Sequence, residues 1–220
     1  MAYNLLDLRS RVRTKIKDSS YSASTIDGYI NDAIVEIADL YPWTYFQGHS
    51  VDDLVVGDST HPLPTEHQVT TKLILVHPTQ SQSYWDITRY YKSWEEFLDV
   101  YPVASSLDNS QPHSWTIYGG ELLFNAPSDL AYTLRHYFQK TPTEITADAD
   151  VPELPVNFRE AIVLGAAYRC EEERDNYDIA AVLQNRFNDR VADLITRLAN
   201  DTMTGPDVVV SPNTRDRDDW

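Results

Sequence analysis

The sequence predicts an α+β protein that is mainly α, a four-helix bundle with an inserted antiparallel β region and an extended C-terminal tail. Helical periodicity marks two segments near the start and two near the end. Between them, β-branched and aromatic runs are separated by Pro, Gly, Ser and Asn. No periodic run follows the last helix. The predicted domains are therefore an N-terminal helical pair (1–44), an inserted β region (45–140), a C-terminal helical pair (141–200) and an extended docking tail (201–220).

The N-terminal region predicts two antiparallel helices. In the first, Asn4 is placed as the N-cap of a helix with one apolar stripe. The second has Ser24 as its N-cap, Asp27 three residues on, and Pro42 as its stop. A short link joins the two, which favours an antiparallel pair. The apolar stripe of the first helix consists of Leu5, Leu8, Val12 and Ile16.

The C-terminal pair follows a Pro-rich passage. Pro155 and Asn157 indicate the start of an apolar third helix, and Asp175 is placed to cap a fourth. This fourth helix is expected to end near Asn200. Its apolar positions recur at steps of four and three, at Ile179, Leu183, Phe187, Val191, Leu194 and Leu198.

The β region has one especially clear element, a hairpin over Trp115–Phe124. Gly119 and Gly120 supply the two positive φ angles that a tight turn requires. Pro127–Asp129 then turns the chain into the next strand, which predicts a meander. A short helix with a Ser93 and Glu96 capping box is expected to interrupt the sheet. The other predicted strands are Lys72–Val76, Ser83–Arg89 and Leu130–Gln139.

Charge is unevenly distributed along the chain. The net charge is −16, yet residues 1–17 carry +4. Because phosphate binding depends on cationic side chains that release counterions, the acidic remainder is unsuited to gripping nucleic acid. It suits a surface that must not adhere to DNA, and simple solubility explains it equally. No apolar stretch is long enough to span a membrane and no secretory signal is present, so synthesis in the cytoplasm is expected.

The basic residues of the first helix form a candidate inter-subunit contact. They fall on both sides of its apolar stripe. A negatively charged surface that these cations can contact is available on the chain itself, on a neighbouring copy, or on a membrane or nucleic acid. The first two are favoured because one helix is a small footprint for the others. These residues are Arg9, Arg13 and Lys17 on one side, and Arg11 and Lys15 on the other.

Residue types that act in catalysis or metal binding in other proteins form no such pattern in this sequence. The six histidines lack the two-His spacing of a metalloenzyme helix. The acidic run Glu171–Asp178 lacks the Gly-centred loop that bends oxygen ligands round a cation, so a solvated helix end is the better interpretation. Cys170, the single cysteine, falls on an apolar helix face and is expected to be inert. No enzyme activity, cofactor or metal is predicted.

Five tryptophans and fourteen tyrosines leave an alternative function open. Trp85, Trp94 and Trp115, with nearby tyrosines, can form a sugar-stacking platform. A carbohydrate-binding or tail-associated cell-wall module is therefore the alternative hypothesis. The favoured interpretation is that these rings fill a small core and subunit contacts, where aromatic side chains dominate packing.

The tail "TMTGPDVVVSPNTRDRDDW" carries a predicted docking segment. Val208, Val209 and Val210 form a short strand-competent piece that can add to the sheet edge of a partner. Trp220 can anchor in an apolar pocket, with Arg215 and Arg217 meeting surrounding carboxylates. The alternative is a frayed terminus with no role.

Two stretches resemble the head-to-tail adaptor (connector) proteins of tailed bacteriophages. "NLLDLRSRVRTKIKDSSYSASTIDGYINDAIVEIADLYPW" is similar to that family's short basic helix followed by an "I..yIN.A..ei...ypW" helix. "HSWTIYGGELLFNAPSDLAYTLRHYFQKTPTEITADADVPELPVNFREAIVLGAAYRCEEERDN" resembles its hairpin leading into the closing helices. The resemblance extends over roughly residues 4–200, although residues 43–110 match no family element.

The resemblance implies a structural virion protein of the neck, at the head-tail interface. Such proteins form a homo-oligomeric ring, typically a dodecamer, that docks under the capsid portal and leads to the next neck or tail protein. Their helical bundles pack side by side round a channel through which DNA passes without specific binding. The C-terminal segment commonly reaches into the portal protein.

Overall fold

The computed structural model describes residues 3–80, 82–102 and 107–203. The chain divides into two compact units, and the division falls inside the second helix. Of the described residues, a helical unit contains 3–33 and 155–203. A β unit contains Ile34–Leu154. The five α-helices of the described ranges are α1 (Leu5–Ile16), α2 (Ala23–Leu40), α3 (Trp94–Val100), α4 (Arg159–Glu173) and α5 (Tyr177–Met203).

The helical unit forms where the sequence periodicity places it. The predicted stripe of α1 is buried throughout, and the Asn4 side chain accepts a hydrogen bond from the Asp7 backbone N–H at 3.0 Å, which confirms the N-cap. α4 packs against α1 and against α5. A short 3-10 helix over Val156–Phe158 precedes α4. α5 begins at Tyr177, after Asn176 rather than the predicted cap Asp175, and continues to Met203.

The β unit contains two antiparallel sheets in its described part. The four-stranded sheet has the order β1-β7-β3-β4, and the three-stranded sheet has the order β2-β6-β5. Buried side chains from both sheets form one core that includes Leu73, Trp115 and Phe124. The strands are β1 (Gln47–Asp53), β2 (Thr60–Pro62), β3 (His67–Val76), β4 (Tyr84–Asp86), β5 (Trp115–Tyr118), β6 (Glu121–Phe124) and β7 (Thr133–Lys140).

The predicted fold class, a four-helix bundle with an inserted antiparallel β region, is wrong. The chain is 43% helical and 22% strand, with five helices and two sheets in its described part. The sheets have a core of their own, so the β region is a folded unit. β1 and β2 were not predicted from the sequence. β1 is an edge strand with mostly exposed side chains, and such a strand shows no hydrophobic alternation. The three-residue β2 is too short to show any.

The local signals of the β region are confirmed, but the predicted meander is wrong. β5 and β6 pair as the expected hairpin, with φ angles of 63° at Gly119 and 84° at Gly120. The Ser93 and Glu96 capping box is present at the start of α3. After β6, however, the chain changes sheet, and β7 pairs with β1 and β3. Turn residues predict where a strand begins, whereas its partners depend on distant segments.

Candidate interaction surfaces

The basic helix α1 is tied to neighbouring elements of its own unit. The Arg9 guanidinium donates two hydrogen bonds to the Asp27 carboxylate of α2, at 2.8 and 2.7 Å. Both side chains are largely buried, with 12% and 21% of their surface exposed. Arg13 donates to the Tyr21 backbone carbonyl at 2.9 Å. Asp27 therefore joins two helices, instead of supporting the cap of α2 as the sequence suggested.

The other side of α1 contacts α4 and its own first turn. Lys15 Nζ lies 2.8 Å from Glu160 Oε1. Arg11 pairs with Asp7 one turn earlier at 2.9 Å. Lys17, at φ 55°, ends the helix in the left-handed region, and its side chain is exposed. Four of the five cations thus have partners inside the chain, while their contact with a neighbouring copy stays a prediction.

The Arg9–Asp27 pair supports a stability prediction. Changing Arg9 to methionine leaves the Asp27 carboxylate partly buried without its bidentate partner, and we expect a loss of about 2 kcal/mol in the free energy of unfolding. Changing Arg11 to methionine removes only an exposed pair and should cost less than about 0.5 kcal/mol. Chemical denaturation of the two variants measures the difference, and equal losses would contradict the assignment.

The acidic run at the α4–α5 turn is ordered by contacts with α1 and α2. Glu171 is buried and accepts hydrogen bonds from Arg174 at 3.2 Å and from Asn176 at 2.6 Å. The Tyr21 and Tyr29 hydroxyls both donate to the Glu173 carboxylate. Burial and this carboxylate raise the pKa of both phenols. The run therefore has a structural role at one end of the helical unit.

Tyr21 and Tyr29 were not singled out by the sequence patterns. Their hydroxyls reach a carboxylate more than 140 positions away along the chain. A hydroxyl near the start of a helix gives no signal of such a partner. Cys170 is buried, as its helix face predicts, and burial raises the pKa of its thiol to about 11.

The tryptophans of the β unit do not form an open platform. Trp115 is buried, and its indole N–H donates to the Ile87 carbonyl at 2.8 Å. Trp94 stacks on Tyr118, with 4.0 Å between ring centroids and 11° between planes. Trp85 packs edge-on against Tyr132. Trp94 and Trp115 are therefore engaged in packing, whereas Trp85 also lines a groove, and the carbohydrate alternative stays a hypothesis.

A groove of about 750 Å³ lies beside β4 in the β unit. Tyr84 and Tyr90 are exposed along it. Asp86 and Arg89 add opposite charges to its wall. β4 is an edge strand, so its outer backbone groups have no strand partner within the described sheet. This groove combines features of a protein-binding surface.

One buried histidine was not distinguished by the sequence. His136 is fully buried between the paired strands, with its Nε2 2.9 Å from Thr70 Oγ1. The same hydroxyl lies 2.9 Å from His67 Nε2. The pKa of His136 falls from 6.5 to about 4, chiefly because burial disfavours the charged imidazolium. Within the described ranges, no three His, Cys, Asp or Glu side chains are placed to hold a metal ion.

Two further observations concern the limits of these surfaces. Among the described residues, no helix has both the length and the apolar character required to cross a bilayer. Residues 201–203 of the predicted docking tail form the end of α5, and the rest of the tail lies outside the described residues. Its named residues are Val208, Val209, Val210, Arg215, Arg217 and Trp220.

Exposed apolar side chains and an edge-strand groove are features that the surfaces of protein-binding proteins commonly have. Residues 3–212 match the family model described as SU10 adaptor protein. The chain belongs to this family. It is a structural adaptor protein of a bacteriophage and a component of the virion. Its interactions are with other phage head and tail proteins. No curated protein matches the sequence.

Proposed function

We propose that the protein forms a ring, typically a dodecamer, that joins the capsid portal to the tail and lines part of the DNA channel. The match to the adaptor family over residues 3–212 carries this proposal. In the ring the protein contacts further copies of itself, the portal protein, and the next neck or tail protein. It occupies the neck of the virion, at the head-tail interface.

Charge supports the channel role. The net charge of −16 repels a polyanion, so DNA passes during ejection without adhering to the wall. Three of the five cations of α1 are paired with Asp7, Asp27 and Glu160, which reduces the positive charge available to phosphates. Specific DNA binding would instead need a continuous cationic face.

In this proposal the C-terminal tail of the chain, residues 201–220, docks to the portal. Its residues Val208, Val209 and Val210 add as a strand to a sheet edge of the portal protein, where main-chain hydrogen bonds supply affinity. Trp220 enters an apolar pocket, and Arg215 and Arg217 pair with portal carboxylates. The basic helix α1 serves the contact between copies.

Removal of the tail tests the docking role. A chain truncated after Met203 keeps α5 at full length. We expect it to lose at least about a hundredfold in affinity for purified portal rings, because the loss of strand pairing and a tryptophan anchor removes about 3 kcal/mol or more. Surface plasmon resonance with immobilised portal rings measures this change.

A matched control separates the tail's sequence from its length. A full-length chain in which Val208, Val209, Val210 and Trp220 are changed to serine should bind as weakly as the truncated chain. Unchanged affinity in both variants would refute the docking role of the tail. Thermal unfolding at the wild-type temperature would show that both variants retain the fold.

A further inference from the structure

The helical unit has two different exposed surfaces. α4 packs against both α1 and α5. In the described part of the unit, any contact between α1 and α5 is smaller than either of these. The exposed residues of α1 and of the start of α5 line different hollows and so form two different surfaces of the unit. Copies that pack side by side in a ring use two such different faces in a head-to-tail contact.

The end of α1 and the start of α5 lie at the same end of this unit. The Arg174 guanidinium, in the α4–α5 turn, donates to the Ile16 carbonyl at 3.4 Å and lies 4.0 Å from the Asp18 carboxylate. The Tyr21 hydroxyl donates to Glu173 at the end of α4. Lys17 and the first turn of α5 are thus at similar heights along the helical unit.

The outward face of α1 is a shallow basic groove. A volume of about 540 Å³ is lined by residues that include Ser10, Arg13, Thr14 and Lys17. Ser10 and Thr14 are small and exposed, so another helix can approach closely there. Among the described residues, Lys17 forms no ion pair.

The start of α5 exposes apolar side chains beside two carboxylates, which complement the groove of α1. Ile179 and Val182 are 54% and 51% exposed and lie about one turn apart. Asp175 and Asp178 line a hollow of about 350 Å³ beside Ile179. Full burial of a branched aliphatic side chain stabilises a protein or an interface by about 1.5–3 kcal/mol. Leaving both side chains exposed to water is therefore unfavourable.

We propose that the groove of α1 in one copy receives the start of α5 in the next copy round the ring. Ile179 and Val182 seat against Ser10 and Thr14, and Lys17 meets the carboxylates of Asp175 and Asp178. Thr14 and Val182 lie at similar levels along the helical unit, because Thr14 is one turn before the end of α1 and Val182 is about one turn into α5. This assignment rests on the proposed ring and identifies the two surfaces that close it.

Engineered disulfides test the assignment directly. The double variant Thr14→Cys/Val182→Cys should give a ladder of covalent multimers on a non-reducing gel after mild oxidation, up to the number of copies in the ring. Linkage within one copy would leave only a monomer band on this gel, and so it is distinguished from the ladder. Cys170 is buried, and its pKa of about 11 keeps the thiol protonated and unreactive.

Three controls define the outcome. Thr14→Cys and Val182→Cys alone should remain unlinked, since a head-to-tail contact never brings two copies of the same position together. Thr14→Cys/Asn188→Cys should also remain unlinked, because Asn188 is exposed on a different face of α5. Linkage of either single variant would indicate a two-fold contact and overturn the assignment.

The reduced double variant is measured in parallel by native mass spectrometry, with and without portal rings. Rings without a covalent ladder would refute the contact between α1 and α5 while leaving the ring itself intact. A protein that stays monomeric under both conditions would refute the ring, and the assignment with it. Lys17→Glu should weaken assembly at least fivefold, and Asp175→Lys/Asp178→Lys should restore it.

Discussion

Gly165→Ala is expected to destabilise the helical unit by about 1–3 kcal/mol, although alanine is the better helix former. Gly165 lies in α4, where a Cβ atom would come within 2.7 Å of the Ala33 Cβ and 3.1 Å of Phe187 Cε2. Ala33 and Phe187 are fully buried. The alanine side chain cannot rotate away, so α2 and α4 must separate.

The same change in α2 provides the matched control. Gly28 is also in a helix, but a Cβ atom added there meets nothing within 4 Å. Gly28→Ala should therefore stabilise the protein by up to about 1 kcal/mol. Differential scanning calorimetry measures both variants. A Gly165→Ala protein that melts above the wild type would show that α2 and α4 do not approach each other this closely.

Acid is expected to destabilise the β unit through His136. Its pKa of about 4 in the folded protein is below the ordinary 6.5, so between these values the unfolded chain binds the proton and the folded chain does not. The stabilisation is complete above pH 6.5 and is lost as the pH falls to 4. The whole loss reaches about 3 kcal/mol at about 1.4 kcal/mol for each pKa unit.

The groups around His136 agree with this direction. His67 and His61 lower its pKa further, and Asp52 has a smaller opposite effect. Burial lowers the pKa of His67 as well. Carboxylates with lowered pKa values, such as Asp86 and Glu153, also stabilise the fold, but this stabilisation is lost only at lower pH, where they become protonated. The interval above pH 4.5 therefore reports mainly on the histidines.

A pair of variants isolates the effect. His136→Gln removes the titration and should flatten the dependence of the free energy of unfolding on pH between 6.5 and 4.5. His49→Gln removes an exposed histidine of the neighbouring strand β1 and should leave that dependence unchanged. Urea denaturation at several pH values gives both profiles. An unchanged slope in His136→Gln would contradict the assignment.

The sequence could predict those features that depend on local spacing. The buried stripe of α1, its Asn4 cap, the Gly119–Gly120 turn and the Ser93–Glu96 capping box all follow from residues within one or two turns of each other. Local hydrogen bonds and backbone angles determine such features, so the residue types carry the signal.

The features that the sequence could not predict depend on distant contacts. β7 pairs with β1 and β3, and its apolar side chains contribute to the core of the β unit. No residue pattern within β7 indicates which strands it pairs with. The Arg9–Asp27 pair likewise joins two helices, and the Tyr21–Glu173 contact joins the α1–α2 link to the end of α4. Of the candidate interaction surfaces, the cations of α1 were identified by sequence, whereas the exposed faces of α5 and β4 required the fold.

Assembly on the portal is the central claim, and native mass spectrometry of the full-length chain mixed with purified portal rings tests it most directly. The predicted result is one mass, that of a portal ring carrying a complete ring of this protein, whether or not the protein is monomeric alone. Negative-stain images should show added density on one face of the portal. A protein that stays monomeric and leaves the portal mass unchanged would contradict the proposed function.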